Sequence, residues 1–112
     1  MLKVTLLTEG EKLSLRLEGH ARYDVVGRDI VCASASILVY TVAQLIYEMD
    51  ACGRLTESPM VRLCEGDALV EAVCKDQKAT QEAMQIMHFA KAGYSLLQNS
   101  YPEYIKFVIN EV

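Results

Sequence analysis

The chain has 112 residues and a mass of 12.5 kDa, enough for one domain with a modest core. Apolar residues make up 52% and charged residues 23%, a globular balance that excludes a disordered chain. Eleven basic against fifteen acidic residues give a formal charge of −4, which leaves no cationic surplus for a direct nucleic-acid binder.

No repeat, low-complexity segment or linker interrupts residues 1–112, so a single domain is expected. The first elements alternate. Leu2, Val4 and Leu6 are separated by Lys3 and Thr5, and Leu13, Leu15 and Leu17 by Ser14 and Arg16. Period two on both sides of Thr8-Glu9-Gly10-Glu11 predicts a β-hairpin whose second strand ends at Gly19-His20. Ala21 to Arg28 is a connector containing Gly27, and Asp29 is placed to cap a helix that follows it.

That helix carries Val31, Ala35, Leu38, Val42, Leu45 and Met49 at helical spacing and stops at Ala51-Cys52-Gly53. Its 18 residues from Ile30 to Tyr47 hold no charge, yet Ser34, Ser36, Thr41 and Gln44 break the run, and charges flank it. It reads as a helix buried on most sides, by the sheet and by a second subunit, rather than as a membrane span.

Residues 54–64 and 68–75 predict two strands joined by Glu65-Gly66-Asp67, with Pro59 marking the first as an edge or as interrupted. Asp76 to Gln98 predicts a second helix, broken by Asn99-Ser100-Tyr101-Pro102. A last strand presents Ile105, Phe107 and Ile109 on one face. The order β-β-α-β-β-α-β implies an α/β two-layer domain, with a mixed five-stranded sheet and two helices.

Four cysteines, Cys32, Cys52, Cys64 and Cys74, form no CxxC pair, and His20 and His88 lie far apart. This spacing argues against a metal site. Met1-Leu2-Lys3-Val4-Thr5 begins a strand pattern rather than a secretory signal, so reduced thiols in the cytoplasm are expected.

Cys32 occupies the third position of the first helix, where free amides and the helix dipole favour a thiolate; Asp29 opposes this electrostatically, though as a cap its charge is partly spoken for. The alternative is a small buried cysteine among alanines. His20 ends a strand and opens the connector to the cysteine helix, long enough to loop out and return the imidazole over the helix end. Thiol, base and spare amides are the components of a cysteine nucleophile with an oxyanion hole. His88, mid-helix beside Phe89, reads as a residue at the core boundary.

Gly19-His20-Ala21, followed by Gly27-Arg28-Asp29-Ile30-Val31-Cys32-Ala33-Ser34-Ala35-Ser36, resembles the ribosomal-processing cysteine protease family, Prp. The family signature is GHA, a short loop and G-x-D-[IL]-VCA-x-x-S. Both halves are present with no departure at a motif position, and the late Tyr101-Pro102 is also similar.

The resemblance implies that Cys32 is the nucleophile and His20 its base, with Gly19, Asp29 and Ser36 in support. It implies a cofactor-free, cytoplasmic homodimer with no membrane or direct nucleic-acid partner. Its substrate would be the short N-terminal extension of the twenty-seventh large-subunit ribosomal protein, an extension that impedes ribosome assembly or function if kept. It also implies a His-to-Cys loop that orders over substrate.

The residues add detail. Ser36 lies one helical turn after Cys32 and could bond the thiol, the histidine or the helix backbone. Asp29 caps the helix or orients His20, and capping needs no further assumption. Gly27 offers a hinge, while Tyr23 and Val25 offer apolar surface to a peptide. Two other readings compete: a non-catalytic ribosome-associated module of the same fold, and a thiol redox sensor with a second cysteine resolving Cys32.

Overall fold

The computed structural model describes residues 1–25 and 28–112. Its elements are β1 (Leu2–Glu9), β2 (Lys12–Glu18), α1 (Ile30–Ala51), β3 (Met60–Cys64), β4 (Asp67–Val73), α2 (Gln77–Ser100) and β5 (Ile105–Glu111). The strands form one mixed sheet in the order β3-β4-β2-β1-β5. β5 runs parallel to β1, and the other pairings are antiparallel. This is the two-layer α/β architecture that the sequence implies.

Register places the alternating apolar residues on one face. Val4 faces Leu17 and Phe107, Leu6 faces Leu15 and Ile109, and Val70 joins Leu15 to Val61. A one-residue slip would turn all of them to solvent, so this buried face fixes the pairing. Leu13, Leu15, Val4, Val70 and Ile105 are almost fully buried beneath the helices. Each such side chain contributes roughly 1.5–3 kcal/mol by leaving water. The other face is mixed: it carries the Lys12–Glu71 and Arg16–Glu18 ion pairs beside Leu7, Leu69 and Val108.

α1 buries Val31, Ala35, Val39, Val42, Ala43, Ile46 and Met49, whereas Ile37, Tyr40 and Tyr47 on its other side are exposed. By length and composition α1 could cross a membrane, but here one stripe packs into the core and against α2. Within one subunit it is therefore covered on one side.

Two boundaries differ from the sequence pattern. The strand expected over 54–64 begins at Met60, because Leu55 makes only an isolated bridge to Cys74 and Pro59 supplies no amide hydrogen. β3 is an edge strand, as Pro59 suggests. α2 continues through Asn99 and Ser100, and ends where Pro102 disfavours helical geometry at Tyr101.

Tyr94 of α2 is fully buried and its hydroxyl donates to the Ala35 carbonyl of α1 at 2.8 Å. Burial drives its phenol pKa far above the usual range. This bond ties α2 to the first turns of α1, next to Cys32. Tyr94→Phe is expected to lower stability by about 1 kcal/mol, read as a shifted urea midpoint at unchanged slope.

Candidate active site

Asp29 organises the start of α1. One carboxylate oxygen accepts the Val31 and Cys32 amides, both at 3.0 Å. The other accepts the amides of Tyr23 at 2.9 Å and Asp24 at 3.3 Å. Of the two roles open to it, Asp29 therefore takes the cap. It also straps the connector to the helix, and beside these backbone amides its carboxylate meets the Cys32 thiol; His20 is not among its partners in the described residues. Burial opposes its ionisation, but the amides of Cys32, Asp24 and Tyr23 outweigh this and hold the carboxyl below its usual value.

Cys32 follows at the third helical position, half-buried. Its sulfur accepts the Ala21 amide at 3.3 Å. Burial pushes the thiol up, the charge of Asp29 adds to that, and the Ala21 and Arg22 amides pull down without reversing it. The sequence predicts a lowered thiol pKa from the helix dipole, and the structure corrects this. The Val31 and Cys32 amides are already taken by a carboxylate, so desolvation and a nearby negative charge prevail.

The expected spare donors move accordingly. The amides directed at the sulfur come from Ala21 and Arg22 in the connector, not from the helix end. Arg22 has φ +59°, a left-handed conformation that is uncommon for a side-chain-bearing residue.

His20, Cys32, Ser36 and Glu65 line two neighbouring cavities of about 460 and 260 Å³. The first continues over Arg22, Asp24, Arg28 and Ile30. The second continues over Gly19, Leu17, Tyr40 and Cys64. The imidazole and thiol thus border both halves of a groove. Ser36 is half-buried beside them, while Ser34 and Thr41 turn their hydroxyls back onto helix carbonyls. Gly19 closes the sheet at this end, with φ +89° and an amide donating to the Gly66 carbonyl at 2.9 Å. A Cβ on Gly19 would lie 2.8 Å from the Met1 carbonyl oxygen.

The Tyr23 ring packs edge-on against Tyr101 and Tyr104, with centroids 5.3 and 5.1 Å away. Neither Tyr23 nor Val25 lines either cavity, so this conformation turns the expected substrate contacts elsewhere. Gly27, the expected hinge, lies outside the described residues.

Among the described residues, no three His, Cys, Asp or Glu side chains gather to hold a metal ion. His88 is exposed on α2, not at the core boundary. All four cysteines are free thiols. Cys64 is the one that lines a cavity shared with Cys32.

Glu65 and Gly66 escape notice in the sequence, where they read only as a turn. Their place beside His20 depends on the pairing of β2 with β4.

None of the curated proteins matches the chain in sequence. The fold is shared with an essential ribosomal processing protease Prp of S. aureus, solved with a covalently linked product peptide. That match has a TM-score of 0.75 at 24% identity, covering 98% of this chain and 100% of the other. A second structure of the S. aureus protease, with a substrate peptide, gives 0.70 at 23% identity over 98% and 100%. The SMU.848 protein of Streptococcus mutans gives 0.70 at 22% identity over 100% and 96%. The family described as cysteine protease Prp matches residues 1–106, nearly the whole length, and the chain belongs to that family.

Proposed function

We propose that this cysteine protease is an endopeptidase of narrow specificity that removes the N-terminal extension of the twenty-seventh large-subunit ribosomal protein in the cytoplasm. The observation that carries the reading is the shared border of His20, Cys32 and Ser36 on both cavities, which lets an extended peptide cross the thiol. The S. aureus protease, solved with peptides, is a ribosomal processing enzyme and supports the same substrate class.

In the proposed reaction His20 takes the Cys32 proton as the sulfur attacks the scissile carbonyl carbon. A carbon–sulfur bond forms, and the carbonyl π electrons move to oxygen. The Ala21 and Arg22 amides, already directed at the sulfur, are the donors we assign to that oxyanion. Collapse breaks the carbon–nitrogen bond, and His20 returns the proton to the leaving amine. Water then hydrolyses the thioester. Ser36 supports the pair from one turn below.

Incubation with the same organism's ribosomal protein tests the reading. Mass spectrometry is expected to find one cut that releases the extension. An intact protein after prolonged incubation would favour the non-catalytic ribosome-associated module.

The working unit we propose is a homodimer. Ile37 of α1 and Leu96 of α2 are 60% and 68% exposed, and they flank a groove floored by Leu38, Gly93 and Leu97. A second copy is the occupant that would cover this apolar strip and the unburied side of α1. Sedimentation equilibrium at micromolar concentration is expected to give twice 12.5 kDa, and Leu96→Glu to shift the protein toward monomer. A single 12.5 kDa species for the wild type would overturn the dimer.

A further inference from the structure

We infer that Gly66, in the β3–β4 turn, is a positioning residue for the catalytic base: its bare backbone is the seat against which the His20 imidazole rests. This rests on the assignment of His20 as the base.

Three observations converge. First, a Cβ built on Gly66 would lie 2.8 Å from His20 Nε2 and 3.0 Å from Cε1, against an ordinary contact of 3.4 Å or more. The ring edge therefore occupies space that any side chain at 66 would take. Second, the β2–β4 ladder is extended by one step, as the Gly19 amide donates to the Gly66 carbonyl at 2.9 Å. That bond fixes the turn against the residue immediately before His20. Third, the turn is braced from behind, where Arg62 meets both carboxylate oxygens of Asp67 at 3.1 Å.

His20 itself is exposed, and its ring has no core packing to hold it. The base must reach the Cys32 sulfur and then the leaving nitrogen, so a small displacement is costly. An error of about 1 Å can lower a rate by about 10²-fold. The seat limits the ring's retreat from the groove.

The φ of Gly66 is +75°, so a substitution there also strains the backbone. Gly10 separates the two effects. It lies in the β1–β2 turn at the opposite end of β2, has φ +59°, and has open space where its Cβ would be. Gly10→Ala therefore carries similar backbone strain with no contact to the site.

The experiment compares wild type, Gly66→Ala, Gly66→Asn, Gly10→Ala and His20→Ala, with a peptide spanning the extension junction as substrate. Asn is included because it tolerates left-handed φ better than Ala. The two Gly66 variants are expected to lose about 10- to 100-fold in kcat, with KM within about twofold. The His20-dependent limb of their pH profile shifts. Gly10→Ala lowers the melting temperature to a similar extent and keeps its kcat.

In the wild type, a nuclear Overhauser effect connects the His20 ring proton on Cε1 with the Gly66 α-protons. Its absence overturns the seat whatever the variants do. Full kcat in a folded Gly66→Asn, or an equal kcat loss in Gly10→Ala, also overturns it. If His20→Ala is inactive while the Gly66 variants are fully active, the seat alone falls. If His20→Ala turns over like the wild type, the base assignment falls and takes the seat with it.

Discussion

Cys32→Ala is expected to abolish cleavage of the proposed ribosomal substrate and to leave the protein folded. The substitution deletes one sulfur from a half-buried helical position whose tertiary bond is a 3.3 Å contact from the Ala21 amide. Alanine is the best helix former, so stability is expected to move by less than about 1 kcal/mol. The rate is expected to collapse, because the assigned nucleophile is gone. Removing one member of such a machinery costs on the order of 10⁴-fold or more, and removing a second adds little.

His20→Ala is therefore expected to be as inactive as Cys32→Ala, and the double variant no worse than either. Mass spectrometry reads the cut, while circular dichroism and thermal melting separate a dead enzyme from an unfolded one. Undiminished turnover by Cys32→Ala would overturn the assigned nucleophile. A non-catalytic module predicts a different pattern: no cut by the wild type, with binding unchanged in the alanine variant.

How much of this is legible in the sequence depends on the range of the forces involved. The β1–β2 hairpin and both helices are readable because their apolar residues keep periods of two and 3.6 against one buried layer. Asp29 as cap and Cys32 at the third helical position are equally readable, since both follow from bonds within one turn. The strand expected over 54–64 is cut short by Pro59, a local signal whose weight depends on which edge β3 occupies. The thiol pKa reverses for a partly non-local reason. The dipole rule counts free amides, but burial of the sulfur, set by the tertiary fold, raises the thiol, and the nearby Asp29 takes the Val31 and Cys32 amides and adds its charge. Gly66 is the least readable of all. It reaches His20 only through the β2–β4 ladder, and a turn glycine gives no sign of what it faces.

Asp29→Asn is expected to make Cys32 more reactive and the enzyme slower. The native carboxylate accepts four amides, two at the helix start and two in the connector. Asparagine keeps one accepting oxygen, which satisfies Val31 and Cys32, but sets its own amide against those of Tyr23 and Asp24. The cap survives and the strap is lost. Ala21 is buried in the core, so its bond to the sulfur stays in place. What disappears is the negative charge that helps to hold the thiol up, so the thiol pKa falls. Alkylation of the free enzyme by iodoacetamide should therefore reach its half-maximal rate at lower pH than in the wild type.

Cleavage should nevertheless fall by about tenfold or more, because the Arg22 amide proposed as an oxyanion donor is anchored through the strapped residues beside it. Asp29→Ala goes further. It leaves all four amides without this acceptor and costs roughly 2–3 kcal/mol, the larger part from the lost cap. The pH dependence separates charge from packing. A carboxyl held below its unfolded value of about 3.9 stabilises the fold above that pH, and its contribution fades as pH falls through the lower folded value. Both variants should lose that part of the acid transition in urea titrations run between neutral and acidic pH. An unshifted alkylation profile in Asp29→Asn would mean that burial alone sets the thiol, and that the carboxylate serves the backbone only.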